Sequence, residues 1–155
     1  VQIGVAGVNL EDSTVTETRS LTKAEDFADR LLQVKEELTK NSTDVFLNIR
    51  TDCFLVGHFN PLEETKKRIS IYERAEADGI FVPCIEDLPD IYEVVTSTDL
   101  PINVMCMPNL PDFKTLSQIG VKRISMGDFL FNKMYHQLEE ITKTIVQQGS
   151  FKPIF

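Results

Sequence analysis

Charged and amide residues cluster near the carboxyl ends of several short apolar runs in this sequence. Glu11 and Asp12 end the first run. Arg50 and Asp52 end the second, and Asn103 lies inside a later one. Carboxylates orient the waters that Mg²⁺ retains, and a guanidinium offers a planar fork to a carboxylate or an oxyanion. The alternatives are structural: the acidic pair caps a turn, the arginine pairs with Asp52 or Glu11, and the amide is buried with its hydrogen bonds satisfied.

Three cysteines also follow apolar runs and raise the question of a metal centre. Cys53, Cys84 and Cys106 come just after the second, third and fourth runs. No C-x-x-C pair is present and His58 is the one histidine nearby, so no zinc pattern is matched. Reduced, mostly buried thiols are therefore expected.

Composition indicates one ordinary globular domain, residues 1–155. The chain has 24 acidic and 16 basic residues and a net charge of −8, which argues against a nucleic-acid surface. No apolar run approaches the ~20 residues that span a bilayer, and no signal peptide opens the sequence. We therefore expect a cytoplasmic protein with neither a nucleic-acid nor a membrane partner.

Five apolar runs, most of them followed by a helical stretch, predict parallel βα units. The runs are residues 7–12, 45–52, 79–83, 101–105 and 121–127. They are nearly continuous rather than alternating, which is typical of strands covered on both faces in barrels and doubly wound sheets. No glycine-rich nucleotide motif follows any of them.

Helical periodicity and capping signals place the intervening helices. Thr22 and Glu25 have the spacing of a capping box, ahead of an apolar face at helical spacing. A second helix should begin at Asn60-Pro61, and shorter ones should cover about 87–96 and 112–119. The last should begin near Asp128 and stop at Gly149. Its predicted buried side chains are Phe129, Met134, Leu138, Ile141 and Ile145.

Five segments resemble the isocitrate lyase/phosphoenolpyruvate mutase family, in the family's order and at about its spacing. They read GVAGVNLEDS at 4–13, NIRTD at 48–52, ADGIFVP at 77–83, PINV at 101–104 and GVKRISMG at 120–127. The likeness is greatest to members called phosphoenolpyruvate-mutase-like or methylisocitrate-lyase-like.

The resemblance implies an α/β fold comprising the C-terminal five βα units of a TIM (β/α)₈ barrel, the fourth to the eighth. Val1 would lie near the end of the third helix. The family's aspartate-rich metal-binding segment would then lie outside this sequence, since a complete barrel needs about 250 residues. Family members bind Mg²⁺ and stabilise an enolate while a carbon–carbon or carbon–phosphorus bond is made or broken. The complete parent is therefore expected to be a Mg²⁺-dependent lyase or phosphonomutase-like enzyme for a small carboxylate or 2-oxo acid, with the isolated fragment inactive.

The same resemblance assigns roles to three residues of this chain. Glu11 would help to hold the magnesium hydration shell. Arg50 would be catalytic, contacting the substrate carboxylate and the developing enolate, and Asn103 would bind a carboxylate. The segment Ser13–Ser20 departs from the family, because it contains neither the lyase cysteine nor the lysine- and asparagine-bearing gate of the mutases.

Two other classes of protein fit the same sequence. One is a non-catalytic half-barrel that interacts with a copy of itself, as a homo-oligomer, or with a separate first half of the barrel. The other is an unrelated flavodoxin-like binding domain, which five parallel strands alone would allow.

Overall fold

The computed structural model describes residues 4–155, which form two compact units, one ending at Ser125 and the other spanning Met126–Phe155. The placement predicted for Val1 lies outside the described residues. The first unit contains a five-stranded parallel sheet. Its strands, in their order across the sheet, are β1 Gly7–Glu11, β4 Phe46–Arg50, β5 Gly79–Val82, β6 Ile102–Met105 and β7 Arg123–Ser125. The five predicted apolar runs are thus confirmed as neighbouring parallel strands.

Four helices of this unit alternate with the strands. They are α1 Ala24–Lys40, α2 Pro61–Arg74, α3 Leu88–Thr96 and α4 Phe113–Ile119. Helix α2 begins with proline at its first position, as predicted, since the fixed φ of proline suits a helix start and its missing N–H costs no hydrogen bond there. Gly120, at φ 103°, ends α4 in the left-handed conformation that glycine adopts without strain.

A β-hairpin that the sequence did not reveal follows β1. Strands β2 Ser13–Val15 and β3 Arg19–Leu21 pair antiparallel, and Val15 lies opposite Arg19. The base of the hairpin is closed by Thr22, whose N–H and hydroxyl both donate to the Asp12 carbonyl oxygen at 2.9 and 2.8 Å. The predicted capping box is therefore wrong: Thr22 closes the hairpin, and α1 has Lys23 at its N-cap position without a side-chain cap.

The hydrophobic core lies between the sheet and the helices. Alternate strand residues such as Leu47, Ile49 and Ile80 point to this side and are at most 1% exposed. Helices α1 to α4 contribute their apolar faces: Ala24, Phe27, Ala28, Leu31, Ile69, Tyr72, Ile91, Val94 and Leu116. Apolar burial drives the packing of the helices on one face of the sheet. The other face is not needed for this core and can carry polar residues.

The face of the sheet away from the helices includes, at the carboxyl end of β1 and β4, a row of residues that are neighbours in register. Glu11 lies beside Arg50, Arg50 beside Phe81, Phe81 beside Asn103, and Asn103 beside Arg123. Adjacent strands lie about 4.8 Å apart, so the register brings residues distant in sequence into direct contact. The three residues predicted to act on substrate and metal are all in this row.

The second unit contains helix α5, Phe129–Gln148, followed by a 3₁₀ turn at Lys152–Ile154. Its bounds match the prediction, and Gly149 ends it in the left-handed conformation. The predicted burial is wrong: Phe129, Met134, Leu138 and Ile141 are 39–59% exposed, and Ile145 is half-buried. Periodicity identifies the apolar face of a helix, but burial requires a partner surface, and the short 3₁₀ turn is too small to cover it.

None of the helices formed by residues 4–155 combines the length and apolar character needed to cross a bilayer.

We expect the chain on its own to form a dimer or a larger species. Among the described residues, β1 and β7 are the two edge strands of the sheet, and Phe46, beside β1 on the uncovered face of the sheet, is 43% exposed. Unpaired edges and contiguous apolar surface both promote association. Sedimentation velocity at micromolar concentration is the measurement, and a well-folded monomer would overturn the expectation.

Candidate functional site

The carboxyl ends of β1 and β4 bring Glu11, Arg50 and Asp52 together. The Arg50 Nη1 donates to Glu11 Oε1 at 2.9 Å, and its Nε donates to Asp52 Oδ1 at 2.6 Å. Both pairings weighed as structural alternatives for Arg50 are therefore present. A guanidinium held at two of its nitrogens has a defined plane and direction, which a single contact would not impose.

The β2–β3 hairpin adds a second arginine to this cluster. The Arg19 Nη1 lies 2.6 Å from Glu11 Oε2 and 2.8 Å from Asp52 Oδ2. Each carboxylate thus accepts from Arg19 on one oxygen and from Arg50 on the other. We call the four side chains Glu11, Arg19, Arg50 and Asp52 the charge ring, since charges of opposite sign alternate around it.

The ring is buried on one side and open on the other. The Asp52 side chain is 0% exposed, whereas those of Arg19 and Glu11 are 30% and 39% exposed. Ser13 closes the buried side: its hydroxyl donates to Asp52 Oδ2 and accepts from the Arg19 Nη1 at 2.7 Å. The hydrogen bond to Glu11 raises the pKa of the Arg19 guanidinium, so this arginine stays charged at any physiological pH.

Asp12 connects the charge ring to helix α2 through a buried network. Its Oδ1 accepts the Asp52 N–H at 2.9 Å, while its Oδ2 accepts from the Arg68 Nη1 at 3.0 Å and the Tyr72 hydroxyl at 2.8 Å. The Arg68 Nη2 also donates to the Thr22 carbonyl oxygen at 2.9 Å. Asp12 and Tyr72 are 0% exposed. The network therefore anchors both the start of the hairpin and the backbone at Asp52.

Burial and the Asp12 charge together shift the titration of the partners in this network. Burial raises the pKa of Tyr72 well above its ordinary value, and the neighbouring Asp12 carboxylate adds to the shift. Burial alone would lower the pKa of Arg68, but Tyr72 and Asp12 raise it overall. At neutral pH Arg68 is therefore charged and Tyr72 keeps its proton.

We expect Tyr72→Phe to reduce the loss of stability at alkaline pH. Folded Tyr72 keeps its proton above about pH 10, where an unfolded tyrosine ionises, so it makes the unfolding free energy fall as pH rises. The slope attributable to one proton is at most about 1.4 kcal/mol per pH unit. Urea unfolding of wild type and variant between about pH 9 and 11 is the measurement. The exposed Tyr92→Phe is the control, and identical slopes for wild type and Tyr72→Phe would contradict the expectation.

Phe81 and Asn103 continue the row beyond Arg50. The Arg50 guanidinium lies 5.9 Å from the centroid of the Phe81 ring, within the range of a cation–π contact. Asn103 is 2% exposed and exchanges hydrogen bonds with Ser125 at 3.0 and 3.2 Å. In this structure Asn103 is thus a buried amide with a protein partner, and its contact with a substrate carboxylate stays a prediction.

The three cysteines form no disulfide within residues 4–155. Cys53 is fully buried, whereas Cys84 and Cys106 are half-buried, so the predicted burial is confirmed for Cys53 alone. Burial raises the pKa of Cys53 and of Cys84, although the positive charge of Arg50 opposes the shift at Cys84. Both thiols are therefore protonated near neutral pH and are poor nucleophiles.

A magnesium centre is not complete within the described residues. Among residues 4–155, no three His, Cys, Asp or Glu side chains are grouped so as to hold a metal ion. Both carboxylate oxygens of Glu11 already accept from the two arginines of the ring. These residues do not fit a metal site of their own, and Glu11 fits at most the orientation of water bound to a metal held by other ligands.

The sequence did not indicate that Arg19 and Phe81 belong to the site. Arg19 lies in the segment that departs from the family pattern, and only the hairpin turns it back toward Glu11. Phe81 was interpreted as part of a continuous apolar run. Phe81 lies beside Arg50 in the register of β4 and β5, so its place in the site can be recognised only when that register is known.

Comparison with known proteins agrees with the fold. Residues 1–146 match the family model described as phosphoenolpyruvate phosphomutase. An uncharacterised protein of Mycobacterium tuberculosis (strain H37Rv) is 29% identical over 126 residues, which cover 81% of this chain and 46% of that protein. The chain thus spans about half the length of the curated relative.

Solved structures show the same arrangement of strands and helices. A candidate phosphonomutase from Burkholderia cenocepacia J2315 is 30% identical with a TM-score of 0.83, covering 92% of this chain and 60% of that one. A candidate lyase/mutase from the same organism is 24% identical with a TM-score of 0.88, covering 99% and 56%. A phosphonopyruvate hydrolase in complex with oxalate and Mg²⁺ is 19% identical with a TM-score of 0.77, covering 97% and 54%.

The family match extends over nearly the whole chain, and the five parallel strands are those of the corresponding part of a (β/α)₈ barrel. An unrelated flavodoxin-like domain is thereby excluded. The chain belongs to the phosphoenolpyruvate phosphomutase family.

Proposed function

We propose that this chain is the C-terminal part of a cytoplasmic Mg²⁺-dependent lyase or phosphonomutase-like enzyme that acts on a small carboxylic or 2-oxo acid through an enolate. The observation that carries the proposal is the charge ring at the carboxyl ends of β1 and β4. In barrels of this fold, the active site lies at the carboxyl ends of the strands. Family membership supports the reaction class.

Arg50 is the proposed catalytic residue. Its Nε and Nη1 are engaged by Asp52 and Glu11, so the direction of the guanidinium is set before any substrate arrives. A positive charge positioned in advance stabilises an oxyanion without reorganisation during the reaction. The Phe81 ring on one side of the guanidinium limits its movement further. We assign Arg50 to the substrate carboxylate and to the enolate oxygen.

Glu11 and Asn103 have the supporting proposed roles. Glu11 keeps Arg50 in place and, in the full-length protein, would orient water on a magnesium ion held mainly by aspartates outside this sequence. The ion would supply a Lewis acid for the developing negative charge. Asn103 would bind a carboxylate by exchanging its hydrogen bonds with Ser125 for one with the ligand.

Proton transfer is not assigned to the cysteines or to the hairpin. The segment Ser13–Ser20 lacks the family's lyase cysteine, and Cys53 and Cys84 are held protonated by burial. The roles proposed for the residues of this chain are therefore substrate binding and enolate stabilisation. The products of turnover identify the bond that breaks.

The test is turnover by the full-length protein. Purified protein with Mg²⁺ is incubated separately with phosphonopyruvate, oxaloacetate and 2-methylisocitrate, and products are followed by ¹H and ³¹P NMR. We expect turnover of one or more of these acids, its loss after chelation of the metal, and no turnover by residues 1–155 alone. A folded full-length protein that converts none of these acids would contradict the proposal.

Magnesium titration of the isolated chain provides a separate check. Glu11 is one acidic contributor whose oxygens are already hydrogen-bonded, and Mg²⁺ gives up its waters reluctantly. We expect calorimetry on residues 1–155 to show no site tighter than about millimolar. A micromolar site would mean that the metal ligands have been misplaced.

The open edges of the sheet support a second candidate function. Because β1 and β7 are each paired on one side, the chain would also suit a non-catalytic half-barrel that folds by pairing with a copy of itself or with a separate first half. Co-expression of residues 1–155 with a matching first half distinguishes the two. Restored turnover favours the enzyme, and a stable complex without turnover favours the interaction module.

A further inference from the structure

Arg19 is held beside Arg50 by shared partners. Both guanidiniums bind the same two carboxylates, those of Glu11 and Asp52, through four bonds of 2.6 to 2.9 Å. Two like charges are stable at such short separation because two opposite charges lie between them. Arg19 reaches this position only because the hairpin reverses the chain and returns residue 19 to the end of β1.

The bonds of Arg19 use one nitrogen of its five-donor fork. Glu11, Ser13 and Asp52 all accept from Nη1. Within the part of the chain that the structure describes, these are the hydrogen bonds of this side chain, so Nε and Nη2 remain available. The side chain is 30% exposed, while Asp52 behind it is fully buried. The available donors can therefore be reached from the open side of the ring.

We propose that Arg19 is the second anion-binding residue of the site and makes it selective for small acids that carry two anionic groups. Arg50 takes one carboxylate, as in the proposed function on which this inference rests, and Arg19 takes the second carboxylate or a phosphonate. A planar fork of charge-assisted donors suits either group. Segment Ser13–Ser20 thus supplies a specificity-determining guanidinium.

Oxalate and glyoxylate are matched probes, since both are two-carbon acids but the first carries two carboxylates and the second carries one. Calorimetric titration of the full-length protein at constant Mg²⁺ gives a Kd for each. In wild type we expect oxalate to bind more tightly than glyoxylate. In Arg19→Gln we expect the affinity for oxalate to fall by about ten- to hundredfold, the usual effect of losing a hydrogen bond to a charged group. The affinity for glyoxylate should fall by less than about threefold.

Arg19→Lys provides the conservative comparison. It keeps the charge without the fork, so its preference for oxalate should lie between those of wild type and Arg19→Gln. If Arg19→Gln does not fold, Arg19→Lys is the deciding variant. A loss of affinity for oxalate without a matching loss for glyoxylate then supports the role of Arg19. Arg74→Gln, at the exposed end of α2, is the control and should leave both affinities unchanged.

Two results would overturn the inference. An equal fall in the affinities for both acids in the Arg19 variants would mean that Arg19 only holds Glu11 and Asp52 in place. An unchanged preference for oxalate would mean that another group binds the second anion. Failure of the wild type to bind either acid would instead overturn the proposed function itself, and the two failures are thereby distinguished.

Discussion

Arg50→Lys in the full-length protein is expected to lower kcat/KM by about a hundredfold or more. Lysine keeps the positive charge but has no planar fork, so it cannot hold Asp52, Glu11 and the substrate in one fixed geometry. Loss of a single oxyanion donor already costs about 10²- to 10³-fold in enzymes that depend on one. Steady-state kinetics on the best acid found in the turnover assay is the measurement.

The matched control for Arg50 is Arg74→Lys, which makes the same chemical change at an exposed position of α2. It should turn over the substrate at the wild-type rate. Near-normal turnover by Arg50→Lys would show that Arg50 has a structural role, holding Glu11 and Asp52 together. In that case its salt bridges would account for its presence without any contact with substrate.

Asp12→Ala is expected to lower the unfolding free energy by about 3–5 kcal/mol. The variant removes the acceptor of the Arg68 Nη1 and leaves Glu64, bound to Nε at 2.7 Å, as the remaining carboxylate partner of this buried guanidinium. It also leaves the Tyr72 hydroxyl and the Asp52 N–H without their acceptor. Removing one partner of a buried ion pair is costly because the remaining charge stays out of water. Urea unfolding at a fixed protein concentration is the measurement, since association changes apparent stability.

Asp44→Ala, at an exposed position before β4, is the matched control and should change stability by less than about 0.5 kcal/mol. The double variant Asp12→Ala, Arg68→Met should be destabilised by much less than the sum of the two single variants, since it removes both charges. Additive effects would show that Asp12 and Arg68 are not coupled. The network would then not be the anchor of the hairpin.

The residue pattern alone was enough to predict the five parallel strands and the helices, and five segments resembled the family. Near-continuous apolar runs such as Ile80-Phe81-Val82 are typical of parallel strands that are buried on both faces. Pro61 and Gly149 mark helix ends through their own backbone preferences. These signals are local, so they can be recognised without knowledge of the fold. The motif around Glu11 and that around Arg50 were recognisable for the same reason.

Tertiary structure alone decided which of these residues meet. Arg19 joins the site because a hairpin reverses the chain, and Thr22 closes that hairpin instead of capping α1. Burial of α5 was predicted wrongly, because periodicity defines an apolar face without specifying what covers it. Strand register then sets Glu11 beside Arg50. A ring of four charges drawn from β1, the hairpin and the end of β4 is a product of register and chain reversal, neither of which a local pattern encodes.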